Sequence, residues 1–122
     1  MDRQRLIFNS RDEMLRIDVP NIVYFEADGN YTYIVTCNKL KSAVCMNLGQ
    51  MEDILAQRLN KEKKNLFARI GKKYIVNLDF IYKIKPLKKQ LVLTDFMNFS
   101  YQRDISKEAL KTLKEMMVAI KI

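Results

Sequence analysis

The 122-residue sequence contains no histidine and no tryptophan, and it has only three glycines, two prolines and two cysteines. Without histidine there is no Ser-His or Cys-His nucleophile pair, and the commonest general base is missing. The glycines lie at positions 29, 49 and 71, too far apart for a phosphate-binding loop. The carboxylates are scattered among basic residues. We therefore expect a protein that is not an enzyme and that needs no cofactor.

The cysteines and apolar runs are equally sparse. Cys37 and Cys45 form no CxxC pair, and no histidine is present to complete a metal site. We interpret both as ordinary strand residues of a reduced, cytoplasmic protein. No apolar run reaches the ~20 residues of a membrane-spanning helix, and the charged N-terminus does not resemble a signal peptide. We expect no metal and no membrane partner.

Apolar and basic residues are plentiful. Hydrophobic residues make up 48% of the chain, and the formal net charge is +8. This length and composition favour one ordered domain over residues 1–122. The basic balance indicates an anionic partner such as duplex DNA, RNA or an acidic membrane, although charge that serves only solubility is the alternative.

Strand patterns dominate the chain. An apolar run at 22–25 and an alternating run at 31–37 flank Asp28-Gly29, so we expect a hairpin over about 22–37, extended by 40–46. Further strands are predicted at 66–70, 74–78, 81–84, 91–94 and 96–101.

Two segments have helical patterns. Asn47 and Gln50 form a capping box ahead of a predicted helix at 48–59, and a charged run at 61–64 follows as a solvated loop. Ser106 is the predicted N-cap of a helix at about 106–120, whose apolar stripe is Leu110, Leu113, Met117 and Ile120. We find neither βαβ alternation nor a three-helix layout, so we predict a mainly β (α+β) fold that is not a helix-turn-helix.

Three segments carry a family pattern. They read IVYFEADGNYT at 22–32, FARIGKKYIVNL at 67–78 and FSYQR at 99–103. In order and spacing they resemble the LytTR-type DNA-binding domain, the output module of many bacterial two-component response regulators. The resemblance covers a core of about 5–106, ahead of the helix predicted at about 106–120, and it implies packed antiparallel sheets with a short helix.

The resemblance also implies a binding mode. Family members insert loops, rather than a recognition helix, into successive major grooves of double-stranded DNA, commonly at direct repeats, and they bend it. Lys and Arg neutralise phosphates, Arg can read guanine through its fork, and Asn can read adenine. Carried over to this sequence, the DNA-binding residues are Asn30, Tyr31, Thr32, Tyr33, Arg69, Lys72, Lys73 and Arg103.

The sequence departs from the family pattern at two places. Gly71-Lys72-Lys73 stands where members usually carry His, then a basic or amide residue, then Ser, and Tyr101 stands where they carry Ser. We expect altered base recognition with phosphate binding retained. Tyr31, Tyr74, Glu26 and Asn77 are interpreted first as structural residues, with Asn77 satisfying buried backbone groups.

Two other functions stay open. An RNA-binding or single-strand-binding β domain would stack bases on exposed aromatic residues, for which Tyr31, Tyr33 and Tyr101 are candidates. A regulatory protein–protein module would use the stripe of the terminal helix. No receiver-like unit precedes residue 22, so we expect either an output domain separated from its N-terminal receiver domain or a stand-alone regulator, and we favour the first. A homodimer on DNA is a further expectation.

Overall fold

The computed structural model describes residues 4–60 and 65–119, and these ranges contain ten strands and two helices. Short 3-10 helices lie at Val19–Asn21 and Leu78–Phe80. The strands and helices are β1 Arg5–Asn9, β2 Met14–Asp18, β3 Ile22–Asp28, β4 Tyr31–Thr36, β5 Lys41–Val44, α1 Leu48–Arg58, β6 Phe67–Ile70, β7 Tyr74–Asn77, β8 Ile81–Lys85, β9 Gln90–Thr94, β10 Ser100–Asp104 and α2 Lys107–Val118.

The strands form three antiparallel sheets. The central sheet has the order β5-β4-β3-β7-β6, a second sheet has the order β10-β9-β8, and β1 pairs with β2 as a hairpin. The predicted β3–β4 hairpin turns at Asp28-Gly29, where Gly29 has φ +59°. Glycine enters this left-handed region without steric cost, which explains the sharp turn.

Both faces of the central sheet are buried. On one face, Phe25, Ile34 and Ile75 join a core shared with α1 and the β1–β2 hairpin. On the other face, Tyr24 and Val35 join a core shared with the three-stranded sheet and α2. Each fully buried large apolar side chain contributes roughly 1.5–3 kcal/mol. The central sheet is therefore the middle of three layers, and its strand ends and turns reach the surface.

Both helices begin at the predicted caps. Asn47 Oδ1 accepts from Gln50 N at 2.8 Å, and Gln50 Oε1 accepts from Asn47 N at 2.9 Å, which completes the capping box. Ser106 Oγ accepts from Ala109 N at 3.3 Å at the start of α2. Leu110 and Leu113 of the predicted stripe are buried. Ile120 and the charged run at 61–64 lie outside the described residues.

The structure confirms the predicted fold class and corrects some details. The β1–β2 hairpin was not predicted. The predicted strand at 96–101 is wrong in its first half, because β10 begins at Ser100 and Phe96 lies in a loop with φ +65°. Cys37 and Cys45 lie just after β4 and β5 rather than within strands. Neither helix in the described ranges is long and apolar enough to cross a membrane.

The loop after β9 is organised by one carboxylate. Asp95 Oδ1 accepts from the backbone N–H groups of Met97, Asn98 and Phe99, at 2.9, 2.7 and 3.1 Å. Partial desolvation acts to raise the pKa of Asp95, but these backbone hydrogen bonds and one from the Asn98 side chain lower it to about 2. The loop therefore holds Phe96 in an exposed position that apolar patterning does not predict.

Candidate nucleic-acid interface

Two of the three family-pattern segments meet at one end of the central sheet. β3 and β7 are antiparallel neighbours, with Glu26 opposite Tyr74. The turn after β3 and the turn before β7 therefore lie at the same sheet end. The backbone joins them directly, because Ala27 N donates to Lys73 O at 2.8 Å.

The third segment reaches the same region through Arg103 on β10. Arg103 Nη2 donates to the Tyr24 hydroxyl at 2.6 Å, and Nη1 donates to the Gln102 carbonyl at 2.8 Å. The guanidinium carbon lies 5.1 Å from the ring centroids of both Tyr24 and Tyr101. These distances fit cation–π contacts. Arg103 is half-buried, and it uses two of the five N–H donors that a guanidinium has.

A polar cluster on β3 and β7 links the segments. Lys73 Nζ lies 3.3 Å from Glu26 Oε2, and the Tyr74 hydroxyl donates to the same oxygen at 3.4 Å. Tyr24 and Tyr74 pack edge to face with centroids 6.0 Å apart. Glu26 and Tyr74 were interpreted as structural, and both contact other side chains of the domain.

The electrostatics of the cluster keep both phenols neutral near pH 7. Burial raises the pKa of Tyr74 to about 12, with a further contribution from the Glu26 charge. Burial also raises the pKa of Tyr24, while the Arg103 hydrogen bond and charge oppose that rise. A neutral Tyr24 hydroxyl can accept the Arg103 hydrogen bond without cancelling the positive charge of the guanidinium.

The turn between β6 and β7 presents two lysines. Lys72 and Lys73 are exposed, and Gly71 has φ +64°, a conformation that favours glycine. Lys73 is paired with Glu26, whereas Lys72 Nζ has no ion-pair partner among residues 4–60 and 65–119. Lys72 is therefore the cation of this turn that is most available to an outside anion.

Arg69 supports this turn from behind. Its Nη1 contacts Glu52 of α1 at 2.5 Å, and its Nη2 donates to the Lys72 carbonyl at 3.2 Å. The side chain thus fastens the turn to α1. Arg69 is exposed and engages two of its five donors in these contacts, so it can position Lys72 and still donate to a ligand.

The predicted residues of the β3–β4 hairpin separate into exposed and buried ones. Asn30 is exposed and Tyr31 is 49% exposed. Thr32 is fully buried, and its hydroxyl donates to the Met46 carbonyl at 2.9 Å. A side chain with no accessible surface cannot touch DNA in this conformation. We therefore remove Thr32 from the predicted DNA-binding residues and assign it a structural role.

Tyr33 and an unpredicted lysine share the sheet face that carries the polar cluster. Tyr33 is directly opposite Glu26 on the neighbouring strand, so the two side chains point to the same face. Lys41 Nζ lies 4.2 Å from the Tyr33 ring centroid. Lys41 is exposed, and it adds a cation to this face that the family pattern did not indicate.

The predicted DNA-binding residues did not include Tyr24, Tyr101 or Lys41, and Tyr101 was named only as a candidate for base stacking. Tyr24 lies in the first family-pattern segment and Tyr101 in the third, but their spacing along the chain gives no sign that both contact Arg103. Within the described ranges, no three His, Cys, Asp or Glu side chains are grouped as a metal site would require. The exposed cations of this site include Lys41, Lys72 and Lys73.

The fold and this site define a β-rich domain with exposed basic side chains on its turns and strands. A family model, the LytTr DNA-binding domain, matches residues 12–118. The chain therefore belongs to the family of LytTr DNA-binding domains, and DNA is the partner of that family.

A solved structure has a similar fold. It is described as the LytTr DNA-binding domain of a methyl-accepting/DNA response regulator from Bacillus cereus, with a TM-score of 0.65 and 19% identity, covering 95% of this chain and 98% of that one. At this identity the similarity concerns the fold. No curated protein sequence matches the chain.

Proposed function

We propose that this chain binds duplex DNA with sequence specificity, through a surface formed by the β3–β4 turn, the β6–β7 turn and Arg103. This surface is called the three-segment face below. The observation that supports the proposal is the convergence of three segments, separated by up to 79 residues, around Tyr24. The role is one of binding rather than catalysis.

Phosphate binding and base recognition fall to different side chains. Lys72 and Lys73 sit on a turn and carry compact charges on flexible stems, which suit phosphate oxygens. Arg103 is held in place and keeps unused donors of a planar fork, which suit the O6 and N7 atoms of guanine in the major groove. Asn30 and Tyr31 are exposed beside them and would contact bases or phosphates. Arg69 supports the turn.

The regulatory context is also part of the proposal. The chain acts as the output domain of a bacterial two-component response regulator in the cytoplasm. Phosphorelay to an N-terminal receiver domain would control its binding, as a homodimer, to direct-repeat promoter sites. The family membership supports this context, and the similar fold of a response-regulator domain agrees with it.

Binding of RNA or single strands is less well supported by the three candidate aromatics. Tyr31 is half exposed, but Tyr33 is half-buried beneath Lys41, and Tyr101 packs against Tyr24 and Phe99. Base stacking needs an open ring face. Two of the three rings have a face already engaged by a neighbour.

A protein–protein function is the second candidate, and one feature favours it. A groove of about 860 Å³ lies between the β8–β9 turn and α2. Leu87 in this groove is 81% exposed and Val118 is 48% exposed, beside Lys88, Lys111 and Lys114. An exposed apolar strip with a basic rim is typical of an interaction surface. Such a surface can operate beside DNA binding.

A binding comparison tests the proposal. A preferred site is first selected from random duplexes, and then affinity is measured for that duplex, a random duplex and the corresponding single strand at two salt concentrations. We expect the selected duplex to bind ~10³-fold or more tighter than random duplex, with salt-dependent affinity. Failure to enrich any site, with stronger binding to single strands, would favour the RNA-type function. Failure to bind any nucleic acid would favour the protein–protein function.

A further inference from the structure

We propose that Tyr24 and Tyr101 form a clamp that fixes the orientation of Arg103, and that this clamp makes both tyrosines specificity-determining positioning residues. The inference rests on the proposed function, in which Arg103 reads a base. It adds that base reading depends on two side chains that need not touch DNA.

Both tyrosine rings contact the guanidinium, and they do so from neighbouring directions. The Arg103 guanidinium carbon is 5.1 Å from each tyrosine centroid, and the two rings are edge to face with centroids 5.5 Å apart. The hydrogen bond to the Tyr24 hydroxyl, at 2.6 Å, fixes rotation about the end of the side chain. One further bond, from Nη1 to the Gln102 carbonyl, directs the second amino group.

The two tyrosines are themselves held. Tyr24 is 2% exposed and packs edge to face on Tyr74. Tyr101 lies against Phe99, with ring centroids 5.3 Å apart, and Phe99 is buried. The clamp therefore rests on the core between the two sheets, so the two tyrosine rings cannot rotate together with the Arg103 side chain.

A clamped arginine affects specific and random DNA differently. A free arginine side chain has several soft torsions, and ordering them on binding costs affinity. That cost matters where a planar fork must meet two acceptors at fixed positions on a base edge. A phosphate accepts a guanidinium from many directions, so random DNA gains little from the fixed orientation.

The clamp also explains a departure from the family pattern. Tyr101 stands two residues before Arg103, where the pattern has serine. A serine has no ring to lie against the guanidinium. We infer that this chain gains from Tyr101 an orientation of Arg103 that the family pattern does not supply by itself.

The test uses substitutions that separate packing from clamping. Tyr101→Leu keeps apolar volume but removes the ring, Tyr101→Phe keeps the ring, and Tyr24→Phe removes only the hydroxyl. Each is measured on the selected duplex and on random duplex, alone and combined with Arg103→Ala. Circular dichroism and thermal melting establish that each variant is folded.

We expect Tyr101→Leu and Tyr24→Phe to weaken binding to the selected duplex about 2- to 10-fold, the cost of ordering one flexible side chain. Random duplex should change less than 2-fold, and Tyr101→Phe should stay near wild type. Neither substitution should weaken binding further once Arg103 is alanine, because a clamp without its arginine has nothing to hold.

Two results would overturn the inference in distinguishable ways. If folded Tyr101→Leu and Tyr24→Phe weaken both duplexes equally, or still weaken binding in the Arg103→Ala background, the tyrosines are structural and the clamp is wrong while DNA binding stands. If folded Arg103→Ala binds both duplexes as wild type does, the proposed role of Arg103 fails and the clamp fails with it. If Tyr101→Leu does not fold, Tyr24→Phe, which keeps its ring, decides between the same outcomes.

Discussion

Replacing Thr32 with valine is expected to lower the stability of the fold and to leave DNA affinity unchanged. The substitution keeps the shape of the side chain but removes a hydroxyl that donates to the Met46 carbonyl at 2.9 Å. Thr32 is fully buried, whereas Met46 is only partly buried. Losing one such hydrogen bond costs about 1 kcal/mol. For a domain of this size, that lowers Tm by roughly 4 °C.

Asn30→Ala provides the matched control, because Asn30 lies two residues earlier and is exposed. We expect the opposite pattern, with a small change in Tm and weaker binding to the selected duplex. Thermal melting and binding titrations on both variants measure the two effects separately. A Thr32→Val protein that melts like wild type but binds DNA several-fold more weakly would refute the assignment of Thr32 to the core.

Three further predictions concern single side chains. Glu26→Gln should tighten DNA binding, most strongly at low salt, because it releases Lys73 and removes a negative charge near the phosphates. Unchanged affinity would place Lys73 outside the interface. Asn77→Ala should lower the free energy of unfolding, measured by urea titration, by about 2 kcal/mol, because the hydrogen bonds to the Ile22 carbonyl and the Asp79 N–H are lost. A change below ~0.5 kcal/mol would contradict this prediction. The folded-state pKa of Asp95 is about 2, below its ordinary 3.8, so its stabilising effect is present above pH ~4 and is lost as pH falls toward 2. The Tm difference between wild type and Asp95→Asn should therefore close over that interval, and a difference independent of pH would contradict the assignment.

Local signals in the sequence predict the elements with strong capping or turn chemistry. The Asn47–Gln50 capping box and the Asp28-Gly29 turn both form as predicted. Asn77 was expected to satisfy buried backbone groups, and it does so through both ends of its amide. In each case the determining contacts are close in sequence or follow from the chemistry of one residue.

Weak or misleading periodicity explains the missed elements. The β1–β2 hairpin buries Leu6 and Ile17 but exposes Ile7 at 64% and Met14 at 61%, so its apolar residues do not alternate cleanly. Phe96 and Met97 are apolar, yet the Asp95 carboxylate holds them in a loop before β10. Tertiary packing overrides propensity in the β1–β2 hairpin, whereas the local turn chemistry of Asp95 overrides it at Phe96.

The candidate site also combines features that the sequence predicts with features that depend on tertiary packing. The three segments and their exposed lysines follow from the family pattern, but the burial of Thr32 depends on α1 and the β1–β2 hairpin covering that sheet face. The contact between Tyr24 and Arg103 joins residues 79 positions apart. No local spacing predicts such a pair, and it becomes visible only when the two sheets are packed together.

The most direct test of the central claim is the salt dependence of duplex binding in two matched double variants. Lys72→Gln/Lys73→Gln removes two charges from the three-segment face. Arg16→Gln/Arg58→Gln removes two exposed charges from the β1–β2 hairpin and α1, on the other layer, so both variants lower the formal net charge of +8 equally. Each lost phosphate contact should flatten the slope of log affinity against log salt by about 0.9. We predict a slope change of about 0.9 from Lys72 alone and up to about 1.8 where Lys73 leaves Glu26 for a phosphate, and we predict little change for the second variant. Equal changes in both variants, or none in the first, would contradict DNA binding at the three-segment face.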